Sequence, residues 1–293
     1  MRLGTFLHQG KPTLFAQFAD TIVPLTRSNG GPSTMLELID GGAVALERLA
    51  SRMKGAGPGQ SIAEAPLLAP IPRPRKNIMC LGWNYVEHAK EGAAARGVEA
   101  ELPTHPVVFT KSPASVNSPR GDIPWDPAVS TQLDWEVELA VIIATGGRRI
   151  PQERALDHVF GYTVINDVSA RDVQFRHKQY FLGKSLDGAC PMGPVIVTRD
   201  EIPDPQVLDV ISRVNGEVKQ SSNTRHQIFT VAAAIALLSD IILLEPGDVI
   251  ATGTPAGVGF ARTPPQFLKP GDVVECEVEN IGVLRNRVVA VDA

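Results

Sequence analysis

Two acids stand at alternate positions in the apolar run Asp134-Trp135-Glu136-Val137-Glu138-Leu139-Ala140-Val141-Ile142-Ile143. Successive side chains of a strand point to opposite faces, so Glu136 and Glu138 are expected on one face, with Trp135, Val137, Leu139 and Val141 on the other. Paired carboxylates repel one another unless water solvates them or a cation lies between them. The pair alone fits two descriptions, a strand with a wet polar face and a cation site. A third acid, Asp167, closes the apolar run Val159–Asn166. If the two strands pair, three carboxylates meet in a hard oxygen cage suited to Mg²⁺ or Mn²⁺. Otherwise Asp167 is an N-cap for the turn that follows. His88 and Glu91 are three apart in a stretch of good helix formers, 85–97. On a helix they are neighbours, and a carboxylate beside an imidazole orients it and raises its basicity, as a general base requires. A solvated surface pair is the alternative. Lys184 lies in the glycine-rich run Gly183-Lys184-Ser185-Leu186-Asp187-Gly188, where backbone can approach a ligand closely. A plain surface loop is the other reading of that run.

The elements that would carry these residues are mostly short strands. The chain has 26 Gly and 24 Pro spread along its 293 residues, which favours strands and tight turns over a helical bundle. Residues 1–25 read as two or three strands with a hairpin at Gln9-Gly10-Lys11-Pro12. Ser33-Thr34 opens a helix continued past Gly41-Gly42. Residues 54–59 read as a linker and 66–74 as an extended proline-rich segment. A boundary placed there separates a small N-terminal module, residues 1–72, from a main domain, residues 73–293. Strands are expected at 77–82, 107–111, 159–166, 195–198 and 248–252. Hairpins are expected at Asn215-Gly216 and within 271–288. The run Ile228–Ser239 is the strongest helix, with Phe229, Ala232, Ala233, Ala236 and Leu237 proposed as its core face. The fold class is α+β and mainly β.

Composition limits the function classes. Hydrophobic residues make up 43% and charged residues 20%, a normal globular mix. The net charge of −4 and the lack of a basic block give no reason to expect nucleic acid or an acidic membrane surface. The first residues lack the apolar run of a signal peptide, and the longest apolar stretch, 231–244, is broken by Ser239 and Asp240. Cys80, Cys190 and Cys276 are far apart and odd in number, as expected of reduced, buried thiols in a cytoplasmic protein.

Several stretches in order resemble the fumarylacetoacetate hydrolase superfamily. They are Gly82-Trp83-Asn84-Tyr85 with His88, Glu136-Val137-Glu138, 166–172, 183–188, Pro191-Met192-Gly193-Pro194 and 252–259. The resemblance covers about residues 73–293. It implies a mixed β-sandwich roll and a homodimer. It also implies Glu136, Glu138 and Asp167 as ligands of Mg²⁺ or Mn²⁺, and a His88/Glu91 dyad on a lid that orders over substrate. Arg171, Gln174, Lys184 and Thr254 match substrate-contacting positions, with Tyr85 close by. Many acylpyruvate hydrolases of the family carry Arg or Leu where this chain has Trp83, so the substrate's tail stays open. The expected substrate is a small 2-oxo or 2,4-dioxo acid. The leading expectation is hydrolysis of an acylpyruvate to pyruvate and an acid, with His88 activating water and Lys184 stabilising the oxyanion. Decarboxylation of oxaloacetate, or isomerisation or hydration of a hydroxydienoate, is the alternative on the same site. A non-catalytic binding protein on this fold ranks last, because every expected acid and Lys184 are present.

Overall fold

The computed structural model describes residues 1–27, 31–55 and 59–291. Residues 56–58 of the expected linker lie outside these ranges. The large sheet runs in the order Gln60–Ser61, Thr21–Leu25, Lys11–Phe18, Arg2–His8, Cys190–Thr198, Val159–Asn166, Val137–Ile143, Val249–Ala251, Ile78–Gly82, Val107–Lys111. Along this order the neighbours are antiparallel except Val249–Ala251 with Ile78–Gly82, and Val116–Asn117 adds a second parallel pairing on Cys190–Thr198. A second sheet orders Glu217–Asn223, Asp209–Val214, Val273–Val278, Gly282–Ala290 and Ile123–Trp125. The 209–223 hairpin turns at Asn215 and Gly216, both with positive φ (53° and 81°), the geometry of a tight turn whose twist matches its strands.

The strand Val137–Ile143 is buried on both faces. Val137, Leu139, Val141 and Ile143 share a core with Val210, Val274, Val278 and Leu284 of the second sheet. The opposite face, Ala140 and Ile142, packs in a separate core with Leu3, Ile196 and the helical residues Met35, Leu38, Ile39 and Leu49. The chain is therefore a mainly β, α+β roll in which the central strands have no solvent face. Residues 1–72 extend the large sheet: Arg2 pairs with Val197 and Leu3 with Ile196. Their helix Met35–Asp40 is capped by Thr34, whose hydroxyl accepts from Glu37 N–H, while Glu37 accepts from Ser33 N–H, closing a reciprocal cap.

Three elements depart from expectation. The helix placed at 228–239 forms at Val231–Ile241 behind a Thr230 cap, and buries Val231, Ala234, Ile235 and Leu238 instead of the proposed set. Almost every position in it is apolar, so spacing alone does not select a face. The loop read at 183–194 contains a short helix, Phe181–Lys184, and the first residues of the strand Cys190–Thr198. Asp167 caps no helix, since the next one, Arg171–Arg176, begins behind Ala170 with no side-chain cap. All three cysteines are buried and free. Among the described residues, no helix is long and apolar enough to cross a membrane.

Candidate metal centre and active site

The pairing of two strands assembles the acids. Val137 faces Asn166 across the ladder, Asp167 N–H donates to the Glu136 carbonyl at 2.8 Å, and Glu136 N–H donates to Asn166 Oδ1 at 3.0 Å. One carboxylate oxygen each from Glu136, Glu138 and Asp167 then lies within 4.8 Å of the others. Their exposures are 4%, 1% and 0%, which rules out the wet-face description. The strand's register thus does two tasks: it builds the core along its length and gathers charge at one end.

Buried charge needs partners. Lys184 Nζ donates to Glu136 Oε2 at 2.6 Å and to Asp167 Oδ2 at 2.8 Å. Lys111 Nζ donates to Asp167 Oδ1 at 2.8 Å, to the Val168 carbonyl, and to the carbonyl of Lys184. Arg171 reaches Asp134 Oδ2 (2.8 Å), Glu136 Oε1 (2.6 Å) and Gln174 Oε1 (2.9 Å). Burial raises the Glu136 carboxyl, but Lys184 and Arg171 outweigh it and hold the group at about 2. Burial also opposes the Lys184 charge, and Asp167 and Glu136 outweigh it, so the ammonium stays charged.

The balance is incomplete. Four buried acids (Asp134, Glu136, Glu138, Asp167) face three buried cations (Lys111, Arg171, Lys184), leaving one negative charge. It falls on Glu138, whose one hydrogen bond among the described residues comes from Gly253 N–H at 2.7 Å. Burial first, then the charges of Asp167 and Glu136, push its carboxyl well above the usual range. Hard oxygen donors with uncompensated charge are the chemistry a divalent cation satisfies, so the residues fit Mg²⁺ or Mn²⁺.

Gly253 is the backbone device that serves Glu138. Its φ is +96°, and a Cβ there would lie 2.8 Å from Asn84 Cβ and 2.9 Å from the Leu81 carbonyl oxygen. Gly253→Ala is expected to cost about 1–3 kcal/mol of stability and to weaken cation binding, read by denaturant unfolding and calorimetry.

The helix Val86–Ala95 carries His88 and Glu91. His88 Nδ1 meets Glu91 Oε1 at 2.8 Å, and Glu91 Oε2 accepts from Gly257 N–H at 2.9 Å. His88 is buried and Glu91 is half-buried, so the pair is not a freely solvated one, and His88 Nε2 is left for chemistry. The helix buries His88, Ala89, Gly92 and Ala93, so its small residues serve close packing where apolar bulk is missing. The Trp83 indole stacks on the His88 ring, with centroids 4.9 Å apart and planes at 22°.

A cavity of about 30 Å³ joins the two groups, lined by Trp83, His88, Glu136, Glu138, Arg171, Gln174, Lys184 and Thr254 among others. Asp167 lies beneath it through Lys184. Thr254 is committed to structure, donating to the Val137 carbonyl (2.9 Å) and accepting from Gln220 (2.7 Å). Tyr85 does not line this cavity: its buried hydroxyl accepts from Gln227 at 3.4 Å. Sequence reasoning missed Lys111, Asp134 and Gln220, and the aromatic walls Phe109, Phe175, Tyr180 and Phe260. Asp134 accepts from Arg171 and from the backbone N–H groups of Trp135, Gly259 and Phe260. Asp134→Ala strips the buried Arg171 guanidinium of one of its two carboxylate partners and is expected to cost about 3–5 kcal/mol, measured by denaturant unfolding.

Known proteins resemble this chain over most of its length. The model of the fumarylacetoacetate (FAA) hydrolase C-terminal family matches residues 77–289. Oxaloacetate tautomerase YisK of Bacillus subtilis (strain 168) is 51% identical over 228 residues, covering 78% of this chain and 74% of its own. The human mitochondrial oxaloacetate tautomerase FAHD2A is 44% identical over 260 residues, covering 88% and 80%. Among solved structures, maleylpyruvate hydrolase from Sphingobium sp. SYK-6, in complex with manganese(II) ion and pyruvate, superposes with a TM-score of 0.80 at 27% identity, covering all of both chains.

Proposed function

The chain belongs to the fumarylacetoacetate hydrolase family, and from that premise we propose that it interconverts the keto and enol forms of oxaloacetate with a divalent cation held by Glu136, Glu138 and Asp167. The observation that carries the reading is one cavity lined by Glu136, Glu138 and His88, with Asp167 completing an undercompensated three-carboxylate cluster beneath it and Glu91 bound to His88. The 51% and 44% identities to oxaloacetate tautomerases support the substrate. They favour the oxaloacetate alternative over acylpyruvate hydrolysis, and tautomerisation over decarboxylation.

Enolisation moves one proton off C3 and places one on the C2 oxygen, and ketonisation reverses both. His88 Nε2 takes the C3 proton, with the Nδ1–H fixed on Glu91 so that the imidazolium is stabilised as it forms. When bound, a divalent cation supplies Lewis acidity toward the carboxylate and 2-oxo oxygens of such an acid. The Lys184 ammonium hydrogen-bonds the developing charge at the C2 oxygen, which takes a proton from water while the His88 imidazolium returns the C3 proton to the hydroxide so formed, leaving the base neutral for the next turnover. The aromatic walls Phe109, Phe175 and Phe260 limit water around the carbanionic carbon.

Acylpyruvate hydrolysis is the second reading, favoured by the intact His88–Glu91 pair and by the likeness to maleylpyruvate hydrolase. One assay separates the two. With Mg²⁺ or Mn²⁺, decay of the enol absorbance of oxaloacetate without pyruvate or CO₂ release is expected. Pyruvate release from an acylpyruvate, with no effect on oxaloacetate, reverses the choice.

A further inference from the structure

We propose that Trp83 sets the length of the acid admitted to the cavity, accepting a four-carbon 2-oxo diacid and excluding longer 2-oxo and 2,4-dioxo acids. The inference deepens the oxaloacetate reading and rests on it only for the natural substrate. Trp83 is the largest side chain lining the cavity, and the cavity measures only about 30 Å³. That is room for a water or two, so any acid is seated by movement of the lining, and each added methylene demands more of it.

This wall is held from several sides. Trp83 has φ +56°, a left-handed conformation that a bulky aromatic residue rarely adopts. The next residue locks the turn: buried Asn84 donates to the carbonyls of Phe229 (3.0 Å) and Thr252 (2.7 Å) and accepts from Phe229 N–H (2.7 Å). The indole stacks on His88 and seats its six-membered ring on bare helix backbone at Gly92, where a Cβ would lie 2.1 Å from Cζ3. The Arg96 guanidinium lies 4.8 Å from the indole ring and donates from Nε to the Gly92 carbonyl at 2.9 Å. A Trp that merely supported His88 would have no bearing on substrate length, whereas this one also lines the cavity together with Glu136 and Glu138.

The test is calorimetric binding of oxaloacetate, 2-oxoglutarate and 2-oxoadipate to the Mg²⁺-loaded protein. Wild type is expected to bind the two longer acids at least tenfold more weakly than oxaloacetate. Trp83→Gly, which suits a positive φ and so preserves the turn, is expected to narrow that ratio by about tenfold, on the scale of one or two methylenes of pocket discrimination. Trp83→Leu is expected to narrow it less. Gly92→Ala drives the indole toward the cavity and weakens oxaloacetate itself. Equal binding of all three acids by wild type, or an unchanged ratio in both folded Trp83 variants, overturns the proposal. Length-selective binding without tautomerisation refutes the proposed function and supports the gauge. Tautomerisation with no length preference refutes the gauge alone.

Discussion

Glu138→Gln removes divalent-cation binding and leaves the metal-free protein at least as stable as the wild type. Glu138 is the variant of choice because its carboxylate is the member of the triad that no buried cation hydrogen-bonds. Glu136 and Asp167 each hold Lys184, and one of them also holds Arg171 and the other Lys111. Removing either leaves buried cations unpaired and confounds affinity with unfolding. At Glu138 the amide keeps the acceptor for Gly253 N–H and deletes only the excess charge. The loss of Mn²⁺ affinity is expected to exceed the roughly 10–100-fold cost of losing an outer hydrogen-bond partner. Calorimetric titration reads the affinity, and thermal melting without and with Mn²⁺ reads the stability. Wild type is expected to gain stability on adding the ion, and Glu138→Gln is not.

His88→Asn has the complementary signature. Cation binding stays within a few-fold of wild type, because among the described residues His88 bonds to Glu91 and to none of the three carboxylates. Turnover of oxaloacetate falls about 100- to 10,000-fold, the range of a positioned general base. Glu91→Gln is expected to fall less, since the amide still accepts from His88 Nδ1–H but no longer stabilises the imidazolium. Initial-rate kinetics at saturating Mn²⁺, with titration of the same samples, separates loss of the base from loss of the ion. Undiminished turnover in His88→Asn assigns the proton transfer to another group.

The acids were legible as a pair on one strand face, with Asp167 closing the strand that pairs with it, but the pattern alone left a wet face open and the family resemblance was what pointed to a cation. The hairpin at Asn215-Gly216 was legible because its turn demands those residues. Lys111 was not, because a lone lysine ending a short strand carries no pattern; only the fold shows that its stem is wholly buried and its ammonium is bound to Asp167. Asp134 read as the first residue of the central strand. In fact Leu133–Asp134 is a separate bridge to Ser169–Ala170, and this turn aims the carboxylate at Arg171 and the 259–260 backbone. Tyr85 misled by its nearness to Trp83. The left-handed backbone at Trp83 turns the chain, so the two rings serve different surroundings. The helix of His88 carries little apolar surface, and it is held by burial of His88, Ala89, Gly92 and Ala93, with Gly92 packed directly against the Trp83 indole.

The most direct measurement is ketonisation of enol-oxaloacetate by chelator-treated protein, repeated as Mn²⁺ is titrated back. The account predicts near-background rates without the ion, recovery that saturates at one ion per chain, and no recovery in Glu138→Gln. Full activity in the stripped protein, or equal recovery in Glu138→Gln, contradicts it.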